Sequence, residues 1–529
     1  MIKRLLHRLN TTVMGGAILI SVFSVLSKIL GLVRDRILAH MFGAGEILDS
    51  YFASFRIPDL IFNTLILGAL ASAFVPVFVK LNKKDKDRAI YVSNSVLNIV
   101  TFLLIFISLI IIIKLNFFVR LLVPGFNDFQ FALTVRLTRI MLFSIIIFGA
   151  SNVMSSLLNS YRSYFFYSLA PVFYNIGIIV GIIFSQYYGY DFLAWGVILG
   201  ASLHFIIQFF AVYRKGWRYK WIFDFRDEYV KKIFSLMLPR TFALALNQIN
   251  QVVITIIASS LATGSISIFY FGFNLQSFIS GIFGVSVAIS IFPILSDCAE
   301  CEDKKEFSEH LSKNIKQVIF FVIPISVLFI ILRAQIVRII LGSGAFNWQD
   351  TYYTAQVLGY FAVSLVFQCL IPIVARAFYA LENTKTPVYI GIWSFIINIV
   401  LAIYLSGKFG IEGIAIAFSI SNIFNLFFLM FILYRKYKIF RITHFYNFLF
   451  KVLANSIIMG IIVYIVRYGM SLGVNMDKFI GIFLQLTVSG TVGIIVYLIL
   501  SILLNVQEAD LLKKYFKRFE IYLLKKLKK

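Results

Sequence analysis

Long apolar stretches follow one another along almost the whole of this 529-residue chain, and each is long enough to cross a lipid bilayer. Short polar loops separate them. The pattern predicts an all-α polytopic membrane protein with about fourteen transmembrane helices. The predicted spans are residues 12–40, 48–80, 88–114, 131–160, 164–186, 192–214, 229–261, 265–296, 312–333, 351–381, 387–406, 411–434, 445–469 and 478–505.

The first predicted span carries polar and small residues along one face. At 100° per residue these positions fall within roughly 140° of the helix surface. An ionisable side chain that faces lipid at membrane depth costs roughly 3 kcal/mol or more. The polar face therefore predicts contact with protein or with a water-filled cavity, which is typical of a transporter. Its residues are Ser21, Ser24, Ser27, Lys28, Gly31, Arg34 and Asp35.

Two later spans also carry polar faces. In span 7, Arg240, Asn247 and Gln251 lie within about 40° of one another on a helix. In span 8, Asn274 and Ser277 share one face with other small residues. Such residues line cavities, but they also form hydrogen bonds between packed helices. For span 8 the two interpretations are evenly balanced.

Cations near the spans favour an anionic ligand. The planar guanidinium group of Arg binds two phosphate oxygens at once. Arg56 precedes Pro58, which interrupts span 2 and frees backbone groups that a cavity must satisfy. Snorkelling of Arg34 to the outer interface is the alternative interpretation. The candidate cations are Lys28, Arg34, Arg56 and Arg240, and the nearby acids are Asp35, Asp49 and Asp59.

Sequence motifs recur about 220 residues apart. Pro171 at the start of span 5 matches Pro387 in span 11, and Gly189 before span 6 matches Gly410 before span 12. The recurrence predicts two six-helix lobes related by a parallel pseudo-two-fold repeat, followed by a C-terminal helix pair. Chance recurrence in apolar sequence is the alternative. The predicted divisions are 1–222 for the first lobe, 223–440 for the second, 441–506 for spans 13 and 14, and 507–529 for a basic amphipathic cytoplasmic tail.

The composition agrees with this class, since 60% of the residues are hydrophobic and 14% are charged. The net charge of +25 arises mainly from short loops, so it does not indicate a nucleic-acid partner. Basic loops alternate with loops that carry few basic residues. By the positive-inside rule we expect both termini in the cytoplasm and an even number of spans in a plasma membrane protein.

The chain shows no sequence signature of catalysis. It has no P-loop, no GxSxG motif and no paired His ligands within a span, so we predict neither an enzyme nor a cofactor. Cys298 and Cys301 form a CxxC motif with His310 nearby, but no second cysteine pair completes a zinc site. Chance spacing of reduced thiols is favoured over metal or redox chemistry. His204 in span 6 is interpreted as a packed histidine in preference to a proton site.

Three segments closely resemble the MurJ/MviN family of lipid II flippases, which belongs to the multidrug/oligosaccharidyl-lipid/polysaccharide exporter superfamily. They read GLVRDRILAHMFGAG at 31–45, FRIP at 55–58 and AFVPV at 73–77. The resemblance implies that the chain moves undecaprenyl-pyrophosphate-linked peptidoglycan precursor, lipid II, from the inner to the outer leaflet of a bacterial plasma membrane. It also implies alternating access driven by the membrane potential or by a coupling ion, with membrane lipids as the surroundings.

The resemblance implies cavity roles for Arg34, Asp35 and Asp49, but other positions depart from the family pattern. Lys28 stands where the family usually has Arg. Phe62-Asn63 replaces a family Arg pair, and Asn274 and Ser277 replace a family Arg and Glu in span 8. We expect Arg56 and Arg240 to compensate. The predicted substrate-binding residues are Lys28, Arg34, Asp35, Asp49, Arg56, Arg240, Asn247, Gln251, Asn274 and Ser277.

The lost cations leave other interpretations open. The main alternative is an exporter of another lipid-linked oligosaccharide or polysaccharide. A cation-coupled multidrug exporter is less compatible, because its cavity should hold acids for cationic drugs. A membrane-embedded glycosyl- or phosphotransferase would need acidic or histidine clusters facing outward, and none is evident in the sequence.

Overall fold

The computed structural model describes residues 13–67, 69–301, 303–437, 443–476 and 478–509. Within these ranges the regular elements are eighteen α-helices and three five-residue π-helical segments, and there is no strand. The π-helical segments are Asn63–Leu67, Gly281–Val285 and Leu433–Tyr437. The α-helices are α1 (Val13–Phe42), α2 (Glu46–Ser54), α3 (Arg56–Phe62), α4 (Ala69–Lys84), α5 (Lys86–Ile113), α6 (Leu115–Leu122), α7 (Asp128–Ser160), α8 (Tyr164–Tyr188), α9 (Asp191–Arg214), α10 (Glu228–Ser259), α11 (Ser265–Ser280), α12 (Ser286–Glu300), α13 (Lys304–Ile340), α14 (Trp348–Ala380), α15 (Lys385–Phe409), α16 (Ile411–Ile432), α17 (Thr443–Gly473) and α18 (Phe479–Leu503).

The all-α polytopic class predicted from the sequence is confirmed. In the described part of the chain, twelve helical segments are long and apolar enough to cross a membrane. The helices α1 and α10 lie at predicted spans 1 and 7 but are not among these twelve, so the exact count of fourteen is not confirmed. The eight-residue α6 was not predicted, because it is too short to stand out beside the spans.

The described residues form two compact units. The first consists of residues up to Ser267 together with Ser343–Asn347, and the second consists of Ile268–Gly342 together with residues from Trp348 onward. The lobe boundaries predicted from the sequence stay a prediction. Most of the predicted amphipathic tail, from residue 510 onward, lies outside the described residues.

The same local architecture recurs at the positions that the sequence motifs match. Both α8 and α15 have 25 residues, and each ends at a glycine with positive φ that lies within two residues of the start of the next helix. These glycines are Gly189 (φ 92°) and Gly410 (φ 57°). The turns before α8 and α15 each contain a non-glycine residue with positive φ, Arg162 and Glu382. Local structure therefore supports the repeat inferred from the sequence.

The predicted spans 2 and 8 are each interrupted by a π-helical segment, Asn63–Leu67 in the first and Gly281–Val285 in the second. Span 2 also breaks between α2 and α3, as Pro58 predicts. Because proline has no N–H, the carbonyl of Ser54 four residues earlier lacks its helical partner. The hydroxyl of Thr138 on α7 lies 3.4 Å from this carbonyl oxygen and donates to it. A polar neighbour thus satisfies the freed backbone group inside the membrane.

Glycines allow α8 and α9 to pack backbone against backbone. Gly177 and Gly181 on α8 face Gly200 and Gly196 on α9, respectively. A Cβ atom added at Gly181 would overlap the Cα atom of Gly196. The spacing of four residues on each helix is the small-xxx-small pattern that lets membrane helices approach closely.

Substitution of Gly181 by Ala should therefore destabilise the first unit by about 1–3 kcal/mol, because the added methyl meets backbone that cannot move aside. We expect a lower midpoint of thermal unfolding in detergent and a lower amount in the membrane. Gly391→Ala is the matched control, since a Cβ at Gly391 on α15 meets no atom within 4 Å. Equal unfolding midpoints for the two variants would contradict the packing argument.

The basic loop between α9 and α10 is held along α5 by side-chain hydrogen bonds. The amide of Asn94 donates to the carbonyl of Arg218 (3.0 Å) and accepts from the N–H of Lys220 (2.9 Å). The indole N–H of Trp217 donates to Ser93 Oγ at 2.9 Å. Arg88 forms an ion pair with the buried Asp227, which also caps α10. The loop is consequently an ordered part of the first unit.

Acid should release this loop through Asp224. The hydroxyl of Tyr91 donates to Asp224 Oδ2 (3.0 Å) and the N–H of Arg226 donates to Oδ1 (2.9 Å). These bonds hold the pKa of Asp224 below its ordinary value of 3.8. Because the folded-state pKa is lowered, the stabilisation is present above pH 3.8 and is lost as the pH falls through the folded-state value.

We expect hydrogen exchange in residues 215–227, corrected for the intrinsic rate, to be slow at pH 5–7 and to accelerate below pH 3.8. Asp224→Asn should exchange faster at pH 7 and lose the acid-induced step. An acid step of the same size in this variant would assign the transition to another group.

Candidate functional site

The polar face of α1 lines a cavity in the first unit. Ser24, Ser27 and Lys28 contribute to its wall, and its volume is about 480 Å³. The opposite face of α1 is exposed, as Val22 (57%) and Ile29 (48%) show. The helix therefore has the two-sided character predicted from the sequence, with polar groups directed into a cavity and apolar groups directed outward.

Helices α7, α8 and α9 supply most of the remaining wall, and their contribution is largely uncharged. His204 Nδ1 lies 2.7 Å from Ser151 Oγ, which donates to Gln208 Oε1 at 3.1 Å. Ser155 Oγ also donates to Gln208 Oε1, at 2.9 Å. Lys28 is the one Lys or Arg among the described lining residues. These are Ile20, Ser24, Ser27, Lys28, Phe62, Ala71, Phe148, Asn152, Ser155, Ser156, Asn159, Tyr167, Ser168, Pro171, His204 and Gln208.

Arg34, which is half-buried, and the buried Asp35 form an ion pair on the same helix instead of lining the cavity. Arg34 Nη2 lies 2.8 Å from Asp35 Oδ1, and the two side chains are 16% and 4% exposed. Arg34 Nη1 also donates to Asn175 Oδ1 on α8 at 3.4 Å. The Asn175 amide in turn donates to Ser27 Oγ at 3.1 Å, which connects the ion pair to the cavity wall.

Asp49 binds backbone rather than lining the cavity. Its carboxylate accepts from the N–H of Gly264 (2.6 Å) and from both the N–H (2.8 Å) and the hydroxyl (2.6 Å) of Ser267. The residue is 2% exposed. The first turn of α11 has unpaired N–H groups, which a carboxylate satisfies well. Asp49 thus joins α2 to the start of α11 within the first unit.

A second polar group lies where α3 meets α10. Arg56 Nε donates to Thr255 Oγ1 at 2.9 Å, and Thr255 Oγ1 donates to the carbonyl of Gln251 at 2.9 Å. Asn63 Nδ2 donates to Gln248 Oε1 at 3.4 Å. Arg56 is thus connected through Thr255 to the backbone of Gln251, and neither Arg56 nor Gln251 lines the cavity beside Lys28.

The other predicted residues are placed differently. The side chains of Arg240 and Asn247 lie outside the described residues. Asn274 and Ser277 lie on α11 in the second unit, where the Ser277 hydroxyl donates to the carbonyl of Asn274 at 2.9 Å. Of the ten candidates, Lys28 alone appears in the described cavity wall, and a substrate-binding role for all ten stays a prediction.

Sequence reasoning missed the amides and hydroxyls that form the rest of the site. These include Asn152, Asn175 and Gln208 in predicted spans 4, 5 and 6, where a lone amide is compatible with simple helix packing. Their shared polarity in otherwise apolar helices was the available signal. The structure shows that they lie beside the polar face of α1.

A family model described as lipid II flippase MurJ matches residues 38–514. The chain belongs to the lipid II flippase MurJ family. A probable lipid II flippase MurJ of Thermotoga maritima is 30% identical over 487 residues, which cover 92% of this chain and 95% of the relative. One from Buchnera aphidicola subsp. Baizongia pistaciae is 28% identical over 461 residues, which cover 86% of this chain and 90% of the relative.

Solved structures agree with membership in the MurJ family. The lipid II flippase MurJ in an inward closed conformation has a TM-score of 0.77 and 29% identity, with 92% of this chain and 98% of that chain covered. A multidrug resistance transporter of the MATE family, in an inward-facing conformation, has a TM-score of 0.67 at 14% identity, with 78% and 95% covered, which shows likeness of fold alone. The resemblance recognised from the sequence motifs is thus confirmed, and the chain is a multi-pass membrane protein of a transporter family.

Proposed function

We propose that this MurJ family member translocates lipid II, the undecaprenyl-pyrophosphate-linked peptidoglycan precursor, from the inner to the outer leaflet of the bacterial plasma membrane. The observation that carries the proposal is the cavity beside α1, with Lys28 among hydroxyl and amide groups. A pyrophosphate group can cross the hydrocarbon core only where polar groups replace its hydration shell. The free energy of transferring an isolated charge into an apolar medium is very unfavourable.

The geometry of α1 suits an amphiphile of this kind. Lys28 supplies a positive charge, and Ser24 and Ser27 supply hydroxyl donors on the same face. On the outward face, Val22 and Ile29 are exposed where a prenyl chain remains in lipid. Head group and tail can therefore follow opposite faces of one helix. We place the substrate-binding role first on Lys28, with the pair of Arg34 and Asp35 connected to it through Asn175 and Ser27.

We propose that both termini lie in the cytoplasm, because basic loops alternate along the chain in the manner of the positive-inside rule. The sequence carries no P-loop motif for nucleotide coupling. We therefore assign the driving force for alternating access to the membrane potential or to an ion gradient. Transport can be measured after addition of ionophores that each remove one gradient. The ionophore that stops transport identifies the gradient that drives it.

Depletion of the protein in its own cells tests the substrate. We expect lipid II to accumulate and to lose accessibility to probes of the outer leaflet, while other undecaprenyl-linked glycans remain normal. Normal amounts and accessibility of lipid II would refute the proposal. Accumulation of a different lipid-linked oligosaccharide would instead support the main alternative, an exporter of that glycan.

A further inference from the structure

Three metal-ligating side chains lie together where α12 ends and α13 begins, in the second unit. The sulfur of Cys298, a ring nitrogen of His310 and a carboxylate oxygen of Glu306 all lie within 4.8 Å of one another. Nε2 of His310 is 3.5 Å from Oε1 of Glu306. Cys298 is buried, His310 is half-buried and Glu306 is exposed, so the group sits at the edge of a packed region.

The local fold fixes this arrangement through a tight turn. The N–H of Asp303 donates to the carbonyl of Cys298 at 3.1 Å, which closes the end of α12. The carboxylate of Asp303 accepts from the N–H groups of Lys305 (3.0 Å) and Glu306 (2.9 Å) and so caps α13. Glu306 and His310 are four residues apart and share a face of α13. The turn holds that face against the last turn of α12.

The charge around this junction favours a cation. Six of the 24 acidic residues of the chain fall within 297–309, although the net charge of the protein is +25. Their field raises the local concentration of cations. The six are Asp297, Glu300, Glu302, Asp303, Glu306 and Glu309.

We propose that Cys298, Glu306 and His310 bind one zinc ion. Thiolate, imidazole and carboxylate are the ligands that zinc accepts, at about 2.0–2.3 Å, whereas magnesium and calcium require oxygen ligands. The exposed Glu306 and half-buried His310 side chains would rotate to bring their ligand atoms to one ion beside the buried thiol. The ion joins α12 to α13 at their connecting turn, and its binding stabilises that junction.

The ligand set differs from the one that the CxxC motif suggested. Cys301 is exposed, and its thiol does not belong to the cluster. The contribution of Glu306 becomes evident only once the turn is known. The lack of a second cysteine pair, which argued against a metal site in the sequence, is therefore not decisive.

The experiment uses the full-length protein in detergent, stripped with a chelator and kept reduced with a phosphine. We expect one equivalent of zinc to be retained after reloading, by elemental analysis. Cobalt should bind in its place and give thiolate-to-metal charge-transfer absorption in the near ultraviolet. Cys298→Ser and His310→Gln should each lower the affinity for zinc at least tenfold, and zinc should raise the unfolding midpoint of the wild-type protein but not of His310→Gln.

Cys301→Ser, on the same turn, and Cys369→Ser, buried in α14, are the matched controls and should keep full zinc binding. If Cys298→Ser fails to fold, His310→Gln still tests the site. The half-buried His310 side chain can be replaced with less damage to packing than the buried Cys298. Failure of the wild-type protein to retain zinc would overturn the proposal. So would equal zinc content in Cys298→Ser, His310→Gln and the controls.

Discussion

Reversal of the charge at Lys28 should abolish translocation of lipid II while the protein still accumulates in the membrane. Lys28 lines the cavity, and a carboxylate there would repel a pyrophosphate instead of binding it. A hydrogen bond to a charged group contributes about 1.5–3 kcal/mol, so loss of the ammonium group alone should reduce transport roughly 10- to 100-fold. Lys28→Glu should transport lipid II more slowly than Lys28→Gln. Lys28→Arg should retain transport because it keeps the positive charge.

The measurement is the outer-leaflet accessibility of lipid II in cells that depend on each variant, normalised to the amount of protein in the membrane. Lys114→Glu is the matched control, because it makes the same change in net charge at an exposed residue that does not line the cavity. Normal transport by Lys28→Glu would show that Lys28 does not bind the substrate. Equal defects in Lys28→Glu and Lys114→Glu would point to net charge rather than to the cavity.

Substitution of Asp49 by Ala should act on stability before it acts on transport. Two N–H groups and one hydroxyl now donate to this buried carboxylate, from Gly264 and Ser267. An unsatisfied buried polar group costs about 1–3 kcal/mol. The variant should therefore lose roughly 3 kcal/mol or more of unfolding free energy. We expect a markedly lower unfolding midpoint in detergent and little protein in the membrane.

Graded variants separate this structural role from a substrate-binding role. Asp49→Asn keeps one acceptor oxygen, so its loss of unfolding free energy should be intermediate. Ser267→Ala removes a single donor, so its loss should be small. A folded Asp49→Ala protein with a wild-type unfolding midpoint but no transport would show instead that the carboxylate acts on the substrate. The prediction made from the family resemblance would then be correct.

The fold was largely predictable because lipid imposes a strong pattern on the sequence. A helix must be apolar over about 20 residues to cross the bilayer, and this requirement is visible without any tertiary information. The repeat was visible through Gly189 and Gly410, which end two helices of equal length with positive φ, whereas Pro171 and Pro387 lie at different depths within those helices. The eight-residue α6 was not predictable on this basis, because it does not cross the bilayer and so needs no long apolar stretch.

The site was predictable only in part, because a polar residue inside a span has several ways to be satisfied. Lys28 and Arg34 look alike in the sequence, yet Lys28 lines the cavity and Arg34 is paired with Asp35 and Asn175. Asp49 looked like a cavity acid but satisfies backbone N–H groups 215–218 residues away in the chain. Such partners depend on tertiary packing, and local sequence does not contain them.

Two membrane-crossing helices, one at predicted span 2 and one at predicted span 8, each contain a π-helical segment. In a π-helical segment one residue is left out of the regular ladder of backbone hydrogen bonds, and helices bend most readily at such points. Asn63–Leu67 and Gly281–Val285 both lie in the middle of a membrane-crossing helix. By contrast, α8 and α9 meet through glycine backbones that leave no room to slide. Each of these two helices can therefore bend near its middle while α8 and α9 keep their mutual packing.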